Sequence, residues 1–274
     1  MTSKRQIRKV DVAVALITTL LLLASGTAVG TAGRERAKRA VCLDNLKRLT
    51  HAWRQYAQDH NGQLVNGAAG ISRPREDPWV GQCWHAGYSA GMQLEEEIQR
   101  EEIREGALWP YLRELKLYRC PSGYSGELLN YMIVDSMNGL SRSGTVYGSQ
   151  SARVGDTVLW VRTLSQIITP GPAERMVFID TGWITPDSFA THYQRETWWD
   201  DPPVRHNDGM TASFADGHAE YWQWKGTDTI EYGRHNDRAH WSNNYPPQTP
   251  EGREDLHRFQ RAVWGRLGYQ PSEL

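Results

Sequence analysis

Cysteine is scarce, three residues in 274, which excludes a disulfide-dense scaffold and leaves room for one disulfide at most. Net charge is nearly absent as well, at −1. The 25 glycines follow no triplet period, so a collagen-like chain is excluded. At 39% hydrophobic and 23% charged residues the composition is that of a folded chain, one large domain or one domain with an appendage. Two patterns are missing: an Asp-x-Asp loop that would collect calcium, and the strand–helix alternation of a parallel sheet. The neutrality dissolves once the chain is divided. Residues 1–48 hold ten Lys or Arg against three acids, a balance of +7, so residues 49–274 carry −8. An acidic body repels polyanions, and nucleic acid is not an expected partner.

Long apolar runs are also missing, with one exception. Residues 12–33 are 22 uncharged positions, flanked by Lys4, Arg5, Arg8 and Lys9 before and by Arg34, Arg36, Lys38 and Arg39 after. As a helix the run rises about 33 Å, against about 30 Å of bilayer hydrocarbon. A cleaved secretory signal ending near Gly30-Thr31-Ala32 and a retained anchor both match this pattern. The residues C-terminal to the run favour the anchor. Cys42, Leu46, Leu49, Trp53 and Tyr56 recur at spacings of four and three, a helical face that continues the run until Asn61-Gly62 stops it. The expected organisation is therefore a basic leader or cytoplasmic end at 1–11, a transmembrane segment at 12–33 and an amphipathic stem helix at 34–62. Positive charge on both flanks leaves the orientation of such an anchor ambiguous.

Beyond the stem, residues 95–105 hold six Glu and two Arg, a solvated helical face. Apolar runs at 157–161 and 175–179 read as strands, the second ending at Asp180-Thr181-Gly182. Two alternating segments around Asp216-Gly217 predict a hairpin with a two-residue turn, both residues at positive φ. On its second strand Ala219, Tyr221 and Gln223 would face one way, and Glu220, Trp222 and Trp224 the other. Thr249-Pro250 ahead of Leu256, Phe259, Val263 and Leu267 predicts a capped C-terminal helix.

Three further features stand in order along the chain: the apolar helix running into the stem that carries Cys42; Pro110-Tyr111-Leu112, Cys120-Pro121 and Asn130-Tyr131-Met132; and His206 followed after nine residues by Asp216-Gly217. Together these three blocks resemble the prepilin-type, type II secretion pseudopilin-like family and its H-X9-DG subfamily. Laid on the family's N-terminus, the leader ends at Gln6, the mature chain begins at Ile7, and Asp11 takes the family's acidic position. The processing site is degenerate, because Gln6 replaces the leader glycine and Arg8 and Lys9 stand where the family is apolar. The resemblance implies an α+β, pilin-like fold: a long N-terminal helix, membrane-spanning in its first half, packed on an antiparallel β-sheet. It implies a globular body at 63–224, and residues 225–274 remain as a C-terminal extension with a helix. The implied function is that of a membrane-anchored structural or interaction protein of a secretion or cell-surface apparatus, not an enzyme. Its body would lie on the periplasmic side of the inner membrane, and its partners would be membrane lipid and other pilin-like or secretion-apparatus subunits.

Chemistry-bearing residues are few. His206, Asp216, His218 and Asp180 form a candidate metal set, since a hairpin brings His206 near the strand after the turn. Zinc or, through oxygen ligands, calcium is the only cofactor suggested. The plainer reading makes Asp216 a turn residue and His206 a hydrogen-bonded strand entry. Gly87-Tyr-Ser89-Ala-Gly91 matches the nucleophile elbow of α/β-hydrolases, with Asp180 and His206 in the required chain order, but no buried strand precedes it. Among the cysteines Cys83 and Cys120 form the favoured pair if Cys42 packs on the stem. Twelve tryptophans, including Trp198, Trp199, Trp222 and Trp224, support the alternative of an anchored module that binds a glycan or peptide.

Overall fold

The computed structural model describes residues 9–85, 93–142, 153–235 and 244–272; within the first helix, side chains are described at 14, 18 and 30 and from 32 onward. Helix α1, Lys9–Asp59, is one uninterrupted element of 51 residues. Its second half carries the expected face: Cys42, Leu46, Leu49 and Trp53 are fully buried. The chain leaves the helix where expected. Asn61 and Gly62 take φ of 55° and 83°, and the Gly62 amide returns to the Ala57 carbonyl at 2.7 Å, satisfying one end-of-helix acceptor.

The first half of α1 corrects the sequence reading. Among the described residues no helix is long and apolar enough to cross a membrane. The membrane-spanning segment expected at 12–33 is thereby overturned, and the single-pass inner-membrane placement loses its span. The reason lies in the run itself. Its strongly apolar part ends at Leu23, and residues 24–33 are Ala, Gly, Ser and Thr with one Val. Twelve residues of helix rise only about 18 Å, well short of about 30 Å of hydrocarbon.

Four strands form an antiparallel sheet in the order β1, β4, β5, β6: β1 is Tyr131–Ile133, β4 Met176–Asp180, β5 Gly209–Phe214 and β6 Ala219–Gln223. Every residue of β1, β4 and β5 is buried, because both faces of the sheet are covered. On one face lies α1, where Thr50 donates to Ser213 of β5 at 2.6 Å. Small hydroxyl residues at 211 and 213 let the helix approach closely. A separate two-stranded hairpin joins β2, Arg153–Val154, to β3, Thr157–Val158.

The β5–β6 hairpin forms around Asp216-Gly217 with a longer turn than expected. Phe214 and His218 close it through the Phe214 amide at 2.9 Å, leaving a three-residue loop in which only Gly217 takes positive φ, 106°. One positive-φ residue after a tight turn is the geometry of a bulged hairpin, so Asp216 is spared the left-handed conformation. The strand alternation is observed: Arg39 of α1 lies over the Tyr221 ring at 4.2 Å, and Arg258 lies over the Trp222 ring at 3.7 Å.

Helix α2, Glu96–Glu105, buries only Gln99 and Ile103 and exposes Glu96, Glu97, Glu101 and Glu105, while Glu102 turns back to accept the Gln82 amide at 2.7 Å; α3 is the single turn Trp109–Leu112. After β6 come α4, Thr227–His235, and α5, Pro250–Trp264. Helix α5 starts where the Thr249-Pro250 pair predicts. It packs Leu256, Phe259, Val263 and Trp264 into the same core as Trp53, Trp79 and Phe178. Arg175, fully buried ahead of β4, donates to Val158 O, Leu159 O and Val263 O, joining the end of β3 to the end of α5.

Candidate metal centre

Four elements converge on one buried point where α1 crosses the sheet. Cys42 comes from the inner face of α1. Cys120 opens a tight turn: its carbonyl accepts from the Gly123 amide at 2.8 Å, and its sulfur accepts from the Ser122 amide at 3.4 Å. Asn130 anchors that turn by accepting from the Cys120 amide at 3.1 Å. Asp180 is the last residue of β4, and its Oδ2 accepts from Thr211 Oγ1 of β5 at 3.3 Å.

His206 is delivered by an unusual loop. Residues 206, 207 and 208 take φ of 48°, 68° and 59°, all left-handed, and Arg205 and Gly209 close the loop by bonding each other's backbone at 2.6 and 3.0 Å. His, Asn and Asp are the side chains that tolerate this region best, at a cost of about 1 kcal/mol each or more. Gly209 is required at the exit, because a Cβ there would lie 2.2 Å from the Trp222 carbonyl oxygen. The strain serves to aim the imidazole at the cluster.

The donor atoms sit close together. His206 Nε2 lies 3.2 Å from Cys42 Sγ, 3.5 Å from Cys120 Sγ and 3.3 Å from Asp180 Oδ2, and the two sulfurs are 2.8 Å apart. All four ligand atoms lie within 4.8 Å of one another. Cys42, Cys120 and Asp180 are wholly inaccessible and His206 is 4% exposed.

The electrostatics are those of a charged cluster out of water. Burial and the neighbouring Cys120 push the Cys42 thiol far up, whereas the hydrogen bond from Cys42 lowers Cys120. Burial works to lower His206, but its contacts with Asp180 and then Cys120 outweigh it and hold the imidazole at about 9. Burial works to raise Asp180, and the His206 bond and the Arg205 charge overcome it, keeping the carboxylate ionised. Several atoms around the cluster nevertheless have no hydrogen-bond partner among the described residues: Asp180 Oδ1, His206 Nδ1, and Nε and Nη2 of Arg205. Glu35 of α1 approaches His206 Nδ1 at 3.9 Å.

Of the expected metal set the structure brings together His206 and Asp180 only. Asp216 and His218 sit at the opposite end of β5, in the hairpin turn, where His218 Nδ1 contacts Asp216 Oδ1 at 2.6 Å and the imidazole stacks on Phe214. The reason is length. The residues between His206 and Asp216 are β5 itself, and six residues of strand separate the ends by almost 20 Å. Cys42 and Cys120, read from the sequence as family-motif residues and, for Cys120, as a disulfide partner of Cys83, take the two places. Their soft-ligand chemistry was the available signal, but separations of 78 and 164 residues left nothing local to unite them with each other or with His206.

The favoured cysteine pair is likewise corrected. Cys83 lies apart from Cys120, its thiol facing the Gln99 carbonyl at 3.9 Å, because α1 places Cys42 directly over the Cys120 turn. Pro121 sits at the second position of that turn, and Gly217 in the hairpin. Ser89, Gln6 and Ile7 lie outside the described residues, and Asp11 falls in α1 where no side chain is described. The chain matches no protein-family profile, no curated protein and no solved structure.

Proposed function

We propose that this chain is a non-enzymatic, pilin-like structural or interaction protein whose long N-terminal helix is the element that neighbouring subunits grip. The division of α1 carries this reading. Residues 42–57 bury its inner face against the sheet, about 24 Å of helix, yet the whole element of 51 residues extends about 77 Å. Between 32 and 41 most positions are exposed, Val41 to 47% among them, with Glu35, Lys38 and Arg39 half-buried on the sheet side. From residue 32 to 41 the helix thus offers a lateral surface that the body does not use. The partners this reading implies are other pilin-like or secretion-apparatus subunits, met on the extracytoplasmic side.

The four-residue cluster supports an organising role and not a reactive one. Its donors are enclosed, with no exposed side chain at which a substrate could meet them. The tryptophans offered for a glycan-binding surface are mostly spent on packing: Trp198, Trp222 and Trp224 are buried, and Trp198 packs against Trp224 and Phe259. The interaction reading is tested by placing a photo-crosslinking side chain at Arg34, Ala37 or Val41 of the full chain in its native cells. Adducts with a second copy or with another pilin-like subunit are expected from at least one site. Uniformly absent adducts, with the protein present at normal levels, would overturn it.

A further inference from the structure

We infer that Cys42, Cys120, Asp180 and His206 form a closed, tetrahedral zinc site that fastens α1 to the sheet. The inference is independent of the assembly role proposed above and stands on geometry. Zinc bonds of about 2.0–2.3 Å at tetrahedral angles place nitrogen and oxygen ligands about 3.4 Å apart, nitrogen and sulfur about 3.5 Å, and two sulfurs about 3.8 Å. The three distances from His206 Nε2, at 3.2, 3.5 and 3.3 Å, already match those edges. The sulfur pair, at 2.8 Å, must open by about 1 Å, a rotation about one cysteine side chain, and the sulfur-to-carboxylate separations lie within 4.8 Å. The donor set selects the metal. Two sulfurs and an imidazole exclude calcium, which takes six to eight oxygens, and a mixed sulfur, nitrogen and oxygen tetrahedron is characteristic of zinc.

The surroundings complete the site. Two thiolates, one carboxylate and a neutral imidazole around a divalent ion leave one net negative charge, and the guanidinium of Arg205 acts on Asp180 as its counter-charge. Glu35, 3.9 Å from His206 Nδ1, is placed to orient the ring from behind, as carboxylates do for zinc-bound histidines. The Ser122 amide directed at Cys120 Sγ supports a thiolate there. Four protein ligands, all buried, leave no open coordination position, so the ion is structural.

The full chain, purified under reducing conditions, is the material for the test. Elemental analysis should find about one zinc per chain. After chelation, added cobalt(II) should give the intense visible bands of a tetrahedral thiolate site, bleached by an equal amount of zinc. Cys42→Ser and His206→Ala should lose the zinc and the cobalt spectrum, whereas Cys83→Ser and Asp216→Ala should keep both. The wild-type cobalt spectrum decides the question even if a ligand variant fails to fold. Protein without zinc that also gives no tetrahedral cobalt spectrum would overturn the site. So would finding a single free thiol in a separate preparation, purified without reductant and then denatured, since Cys42 and Cys120 would then be joined as a disulfide.

Discussion

At the scale of single residues, the chain buries several ionisable side chains, among them Asp135, Arg175, Asp180 and Asp201, and their burial couples to stability. Asp201 is 9% exposed, and one of its carboxylate oxygens has no hydrogen-bond partner among the described residues. Burial raises it to about 7, with a bond from Tyr232 pulling weakly the other way. The unfolded chain releases that proton near pH 4. Between about pH 4 and 7 the folded protein therefore holds a proton that the unfolded chain has lost, and stability falls as pH rises through this window. Asp201→Asn removes the titration without changing the shape. Thermal midpoints across the window should show wild type losing ground steadily to the variant, with a constant gap at lower and higher pH; parallel curves would refute the assignment. Legibility at this scale was uneven. His206 and Asp180 were recognisable as candidate ligands from their chemistry, and Asp216 was equally recognisable as a turn residue. Nothing in the residue types distinguished the histidine that points into the core from His218, which lies half-exposed on a phenyl ring.

Secondary-structure elements were the most readable level, because their signals are local. The stem face, its Asn61-Gly62 stop, the Asp216-Gly217 hairpin and the α5 start all rest on spacings of four residues or fewer. The spanning half of α1 failed at this same scale: the absence of charge over 22 residues resembles an anchor, but only the first twelve are strongly apolar. Helix α5 shows how much one local signal can carry. Thr249 Oγ1 accepts from the Gly252 amide at 2.9 Å and donates to Asp228 Oδ1 at 2.6 Å, while Asp228 Oδ2 accepts the Gln248 and Thr249 amides. The cap thus joins the start of α5 to α4. A Thr249→Ala substitution should cost about 2 kcal/mol, the upper end for a helix cap, since a buried carboxylate loses a donor as well. Denaturant unfolding measures it, and Thr249→Ser should recover most of the loss; a cost near zero for Ala would mean that Asp228 alone holds the junction.

For the molecule as a whole, what the sequence could not show is which distant segments meet. The H-x9-DG pattern looked like a convergence of histidine and aspartate, yet it is the measure of one strand, with the two residues at opposite ends of β5. The cluster instead gathers residues from α1, the Cys120 turn, the end of β4 and the left-handed loop before β5, segments separated by as many as 164 residues. Closing such long loops is entropically costly for the chain but rewards a cross-link made in the folded state, since cost grows only slowly with length. A metal bound there stabilises the folded protein through its affinity for that state alone. Removal of zinc is therefore expected to act regionally. Hydrogen exchange should accelerate in residues 42–57 of α1, in 118–123 and in 205–211, the segments that supply or support ligands. The interface of α5 with the aromatic core, remote from the site and held by Phe259, Val263 and Trp264, should change little. Mass spectrometry of exchanged peptides with and without chelator distinguishes this pattern from its rivals. Uniform acceleration would mean that the whole fold depends on the ion, and no change would mean that Trp53, Leu49 and their partners hold α1 to the sheet unaided.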